Sequence, residues 1–304
     1  MNIQQFQYVL AVAEHRHFET AAERCYVSQS TLSTMILKFE DEIGISIFDR
    51  KKRPMEITQE GGQIIERLKI IIKEIENLTE LTHEIRGVVK GQIKIGCIPT
   101  VAPFLLPLFL VDFVNAYPKL KIEVHEITTD EIVRRLTSRE LDIGIVSTPI
   151  NEPELLERPL YSEPFVLYDT GNKKPDTLIA ANLDMENFWL MEEGHCLRSQ
   201  ILDVCNRRDS AINSSLNINF KAASIGSLIR FVKANKGRTL LPALATANFS
   251  ADELKFVHHF KEPVPFRTIG LLTHHHFPKE RLLDVLQKKI LNKIEKHQEL
   301  LRLD

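Results

Sequence analysis

The sequence predicts a mixed chain: a small helical domain with a two-stranded tail, a long connecting helix, and an α/β unit in two lobes. Three observations carry this expectation. Residues 2–45 hold three short amphipathic segments separated by turn signals. Residues 60–86 repeat apolar side chains at spacings of four and three with few breakers. From residue 92, strand-like apolar runs alternate with helical patterns. At 304 residues there is room for two or three domains with real cores. A composition 43% hydrophobic and 26% charged excludes broad disorder. No run of about 18 apolar residues exists, and Met1–Gln5 lacks the basic-then-apolar layout of a secretion signal, so a cytoplasmic chain without a membrane span is expected. Four scattered cysteines do not make a secreted disulfide framework. A net charge of −2 neither suggests nor excludes a nucleic-acid partner, which responds to local patches.

Element by element, Phe6, Val9, Leu10, Val12 and Ala13 mark a first helix. The paired Ala21 and Ala22 allow a second to pack closely. Ser28 is a plausible N-cap for a third, running through Ile36, Leu37 and Phe39 to about Ile43. Two helices joined by a tight turn, the second opening on small polar residues, have the layout of a helix-turn-helix. Ser28, Gln29, Ser30, Thr31, Ser33, Thr34 and Lys38 are then candidates to meet base edges or phosphates. The same residues would also solvate an ordinary surface helix. What favours DNA is the segment Phe48–Thr58, which reads as a two-stranded wing tipped by Arg50, Lys51, Lys52 and Arg53, a local basic patch suited to phosphates.

The words Phe18-Glu19-Thr20-Ala21-Ala22, Val27-Ser28-Gln29-Ser30-Thr31-Leu32-Ser33, Glu40-Asp41-Glu42-Ile43-Gly44, Phe48-Asp49-Arg50 and Ile57-Thr58-Gln59-Glu60-Gly61 resemble the winged helix-turn-helix of LysR-type transcriptional regulators. One departure is Ser30, where the family commonly has proline at the first turn of the recognition helix. The resemblance gives the fold class as α/β, with an all-α-type winged helix-turn-helix N-terminal domain and a two-lobed effector domain like a periplasmic binding protein. The expected boundaries are 1–58 for the DNA-binding domain, 59–90 for the dimerisation helix and 91–304 for the effector domain. Lobe I takes 91–162 and 268–304, and lobe II takes 163–267.

Ile64, Leu68, Ile71, Ile75, Leu78 and Ile85 form a heptad seam broken only at Thr82, which favours a dimeric coiled coil. Packing of this helix on its own domain is the alternative. A dimer suits DNA, because two-fold protein symmetry matches inverted half-sites. Beyond it, 92–98, 120–127 and 141–146 read as strands, and 101–116 and 129–139 as helices, in a parallel α/β pattern. A second unit begins near Pro164 and includes Phe188–Met191, a helix over 197–207, Ile218–Ala223, helix 225–235 and Thr239–Leu241. The chain returns through Arg267–Leu272 into a terminal helix, about 279–301. Two lobes joined by crossing strands leave a ligand cleft between them.

The word Gly194-His195-Cys196-Leu197-Arg198 places a thiol beside a histidine and an arginine at an expected helix start, all of which favour thiolate. Cys205 lies nine positions on. Nine helical residues span roughly 13.5 Å and end on the opposite face. A disulfide needs Cα atoms within about 7 Å, so bonding these two requires the helix to come apart. With Ile98–Pro107, Thr239–Ala245 and Arg267–Leu271, this word is similar to the peroxide-sensing branch of the LysR family. The resemblance implies that Cys196 is the peroxidatic cysteine and Cys205 the resolving one. It implies that Thr100, Thr129, His195, Arg198 and Arg267 serve the peroxide pocket. It also implies an activator working as a homodimer or homotetramer on promoter inverted repeats in double-stranded DNA, with RNA polymerase and a thioredoxin- or glutaredoxin-class reductant as partners and no cofactor. Thr128 competes with Thr129 for the pocket position, and N-capping alone would explain either threonine. Cys25 and Cys97 read as packing residues, and His274-His275-His276 as a solvated turn with no metal. The rival functions are a LysR-type regulator answering a small metabolite between the lobes, and a thiol peroxidase, which would need neither wing nor heptads.

Overall fold

The structure is a computed structural model and describes residues 1–52, 54–86, 89–171, 178–180, 183, 187–192, 196–204, 220, 222–297 and 301. It contains two compact units, Met1–Arg86 and Gly87–Asp304.

The N-terminal unit opens with α1 (Ile3–His15), whose N-cap Asn2 accepts from the Gln5 N–H while the Gln5 side chain accepts from the Asn2 N–H. The helix-turn-helix follows as α2 (Phe18–Arg24) and α3 (Gln29–Ile43). Ser28 caps α3 as expected, its hydroxyl accepting from the Thr31 N–H. Gly44, at φ +69°, ends α3 in the left-handed conformation that favours glycine. Val9, Val12, Ala21, Ala22, Leu32, Ile36 and Phe39 close the core between these helices. The wing is a short antiparallel pair, β1 (Phe48–Asp49) and β2 (Glu56–Ile57), with Phe48 opposite Ile57. α4 (Gln59–Ile85) is 27 residues long. Its first turn comes so near the wing that a Cβ on Gly61 would lie 2.3 Å from the Ile47 carbonyl oxygen.

The second unit is organised by one curled sheet in the order β4-β3-β5-β9-β6-β7, with β8 also on β6. β3 (Gly91–Cys97) runs parallel to β4 (Leu120–Glu126) and β5 (Ile143–Thr148). Connecting helices α5 (Ala102–Ala116) and α6 (Thr129–Thr137) satisfy the expected βαβ pattern. Two long strands carry the chain between lobes. β6 (Leu155–Asp169) pairs antiparallel with β9 (Phe266–His274) over its first ten residues. It then pairs with β7 (Arg238–Pro242) and β8 (Val257–His259) over its last five. α7 (Cys196–Val204), α8 (Ile225–Ala234) and the short α9 (Ala251–Leu254) belong to lobe II, and α10 (Glu280–Ile294) returns to lobe I. Each lobe has its own core: Ile95, Leu105, Phe109, Ile145, Leu271 and Leu286 in the first, and Phe165, Tyr168, Met191, Ile201, Leu228 and Leu240 in the second.

The described strands of lobe II pair antiparallel, because β6 enters from lobe I already running against its neighbours. Phe188–Met191 contributes only isolated bridges, Phe188 to Arg238 and Met191 to Ala222. One expectation is corrected in part: the histidine trio is a solvated turn only at His275 and His276. His274 ends β9 in register with Leu155 and is buried, and its Nδ1 accepts the His276 N–H at 3.1 Å. Only His275 and His276 are exposed.

Candidate functional site

The site grows from the start of β9, where two neighbouring residues each anchor a set of polar contacts. Arg267 is 3% exposed and Glu163, across from it on β6, is 1% exposed. One Glu163 oxygen takes both Nε of Arg267 at 2.8 Å and Nη2 at 2.7 Å. The guanidinium spends its remaining reach on Thr100, just past β3. Nη1 donates to the Thr100 hydroxyl at 2.9 Å and Nη2 to the Thr100 carbonyl at 3.1 Å. Because that hydroxyl accepts from a cation, its own proton is free to donate elsewhere. Thr100 is therefore not a capping residue: Val101 is the N-cap of α5, without a side-chain bond.

The next residue of β9, Thr268, anchors the second set. Its carbonyl accepts from the Ser147 hydroxyl at 3.3 Å, and Ser147 in turn accepts from Gln200 Nε2 at 2.7 Å. Ser147 lies next to the end of β5 in lobe I, whereas Gln200 lies on α7 of lobe II, so this contact joins α7 to lobe I. Gln200 is one helical turn beyond Cys196, the first residue of α7, and the i, i+4 spacing puts both on one face. The Gln200 Oε1 and the Thr129 Oγ1 are both buried with no hydrogen-bond partner among the described residues. Thr128, at the N-cap position of α6, makes no side-chain cap bond. Tyr161 Oη is likewise buried and unpartnered, close enough to the Glu163–Arg267 pair to feel its charges. Burial raises the Tyr161 hydroxyl and, just beneath, the Cys97 thiol far above their ordinary ranges, so both stay protonated.

Cys196 takes its expected place as the first residue of α7. The side chains of Cys196 and Arg198, and all of His195 and Cys205, lie outside the described residues. Glu163, Ser147 and Gln200 escaped sequence reasoning. Gln200 carried a usable signal, its four-residue spacing from Cys196. Glu163 and Ser147 carried none, because strand crossing alone brings them here.

In the N-terminal unit, Gln29, Ser30, Thr31, Thr34 and Lys38 are exposed along α3, Ser33 is half-buried, and Ser28 serves as the cap. The wing residues divide. Arg50 reaches back to the buried Glu40 at 2.8 Å and lies over the Phe18 ring, so it braces the wing. Lys52 pairs with Glu56 at 2.6 Å, Lys51 is exposed, and Arg53 lies outside the described residues. Along α4, Leu68 is buried in its own unit and Ile64 and Ile75 are half-buried, whereas Ile71, Leu78 and Ile85 are exposed. Among the described residues no group of His, Cys, Asp or Glu is arranged to hold a metal, and no helix is long and apolar enough to cross a membrane.

A helix-turn-helix unit followed by a two-lobed α/β unit defines a ligand-responsive DNA-binding regulator. The bacterial regulatory helix-turn-helix profile of the lysR family matches residues 3–62, and the LysR substrate binding domain matches residues 86–289. The chain belongs to the LysR family of transcriptional regulators. It is 35% identical over 276 residues to the DNA-binding transcriptional dual regulator OxyR of Escherichia coli, covering 90% of this chain and 89% of that one. It is 31% identical over 293 residues to the regulator EstR of Acinetobacter baylyi, covering 94% of each. Among solved structures, a full-length OxyR variant from Pseudomonas aeruginosa superposes with a TM-score of 0.75 at 28% identity, covering 96% of this chain and 98% of the other.

Proposed function

We propose that this regulator senses hydrogen peroxide at Cys196 and stores the signal as a disulfide to Cys205. The observation that carries the proposal is that Thr100, Thr129 and Ser147, the last bonded to Gln200 of α7, lie at the C-terminal ends of the neighbouring strands β3, β4 and β5, with polar atoms there left unmet among the described residues. Peroxide has two O–H donors and four lone pairs. Thr100, turned outward by Arg267, offers a proton, Thr129 offers a hydroxyl without a partner, and Gln200 Oε1 offers an acceptor. Preorganised donors of this kind stabilise the leaving oxygen, which a lowered thiol pKa by itself does not. The Cys196 thiolate attacks one peroxide oxygen, the O–O bond breaks, and the departing hydroxide takes a proton to become water. This leaves sulfenic acid on Cys196. The Cys205 thiolate then attacks that sulfur, displacing a second water as the S–S bond forms. Two thiols are oxidised and one peroxide is reduced to two waters.

Forming the bond undoes α7 between the cysteines and with it the Gln200–Ser147 contact that holds lobe II to lobe I. The effector domains then repack and shift the paired DNA-binding units on promoter inverted repeats, in a dimer-based tetramer reset by a thiol reductant. The chain acts as an activator in concert with RNA polymerase.

Substituting Cys196→Ser should leave DNA binding intact and abolish the shift in the DNA footprint produced by peroxide. A variant whose footprint still shifts sinks the mechanism. A second reading rests on the match of residues 86–289 to the LysR substrate binding domain: a metabolite held between the lobes. That reading expects both thiols to survive sub-stoichiometric peroxide in thiol counting with peptide mapping.

A further inference from the structure

We infer that Glu163 is a positioning residue for peroxide reduction: it acts through Arg267 to aim the Thr100 hydroxyl proton at the substrate. The inference rests on the peroxide reading above and adds to it the device that sets the donor's direction.

Both oxygens of Glu163 are committed. Oε2 takes Nε and Nη2 of Arg267, and Oε1 accepts the Leu244 N–H at 3.0 Å. A guanidinium is planar, and two contacts on one side fix its rotation. With that edge pinned, Nη1 can face only one way, and Thr100 Oγ1 stands there. The Thr100 hydroxyl already holds an accepted hydrogen bond from a cation, so its proton points away from Arg267. Arg267 is 3% exposed, and its charge acts on the substrate through this hydroxyl. Were Glu163 only a counter-ion, a single contact at any angle would neutralise the guanidinium. The pairing found here specifies orientation as well as charge.

The second oxygen ties the aim to the rest of the unit. Leu244 lies in the single helical turn Ala243–Thr246 that follows β7. Leu244 packs in the core of lobe I, whereas its neighbours Ala243 and Ala245 pack in the core of lobe II. The carboxylate that sets the donor is therefore also bonded to the turn shared by both cores. A shift of lobe II on oxidation is felt at Thr100 through this one side chain.

The test is a double-mutant cycle in the full chain, Glu163→Asp with Thr100→Val, reading two rates. Peroxide oxidation is followed by thiol loss, and Cys196 alkylation by iodoacetamide, which needs no peroxide pocket. Glu163→Asp keeps the charge but retracts the carboxylate. It should slow peroxide oxidation roughly tenfold, in line with the sensitivity of rates to small misplacements, and leave alkylation unchanged. In the Thr100→Val background the same change should slow oxidation no further. Equal slowing in both backgrounds, equal slowing of alkylation, or no slowing at all would overturn the relay. Glu163→Gln should cost more than Glu163→Asp where circular dichroism shows it folded; where it does not fold, the aspartate cycle decides. A wild-type protein that keeps its thiols under peroxide overturns the peroxide reading itself, whereas a fast wild type with an unaffected Glu163→Asp overturns this inference alone.

Discussion

Glu40 shows how one buried side chain can hold a DNA-reading surface together. It is 7% exposed and accepts the N–H groups of Ile47 at 2.6 Å and Phe48 at 3.1 Å, with Arg50 at 2.8 Å on its other oxygen. It therefore fixes the entry to the wing against α3. Glu40→Ala strands two backbone donors and a guanidinium, which should lower stability by roughly 3 kcal/mol. Urea denaturation of the full chain checks this, and DNA affinity should fall with it as the wing loosens. His274 makes a different residue-scale prediction. Burial first, then the charges of Arg139, His275 and His276, lower its pKa from 6.5 to about 4. Its Nδ1 accepts a backbone N–H and so requires the neutral ring. Below pH 6.5 the unfolded chain takes up a proton that the folded chain refuses, so stability is lost as pH falls from 6.5 toward 4 and levels off below. The difference in melting temperature between wild type and His274→Gln should therefore change across that window and stay constant above pH 7.

At the scale of elements, α4 divides its apolar residues between two duties. Its first turns belong to its own unit, with Ile65 and Leu68 both 4% exposed in the helical core. Further along, Leu78 is 66% and Ile85 77% exposed on the same heptad pattern. Large apolar residues exposed at that spacing fit the second helix of the dimer proposed above. Leu78→Asp should dissociate the proposed dimer without unfolding the chain, and sedimentation velocity reads the change. If the variant still sediments as the wild-type oligomer, the seam lies elsewhere. Gly61 sits where the wing meets this helix. The closeness of the Ile47 carbonyl explains why the Thr58-Gln59-Glu60-Gly61 word ends on a residue without a side chain.

For the whole molecule, much of the design was readable along the chain. The three helices, the wing, the connecting helix and the α/β alternation announce themselves through apolar period, capping serine and turn residues, all set by neighbours a few positions away. The helix start at Cys196 was readable for the same reason, because it is set by neighbouring residues. The antiparallel character of lobe II, the burial of His274 and the site's supporting residues were not. Arg267 meets Glu163 across 104 positions and Thr100 across 167. Those meetings depend on the register between β6 and β9, which no local pattern encodes. The sequence by itself therefore determined the elements, the regulator class and the thiol at the head of α7. Tertiary structure decided which hydroxyl accepts from Arg267, which carboxylate pairs with that guanidinium, and which glutamine bridges the lobes. The physical reason is that a hydrogen bond's direction is fixed by partners brought together in space, and here crossing strands bring them.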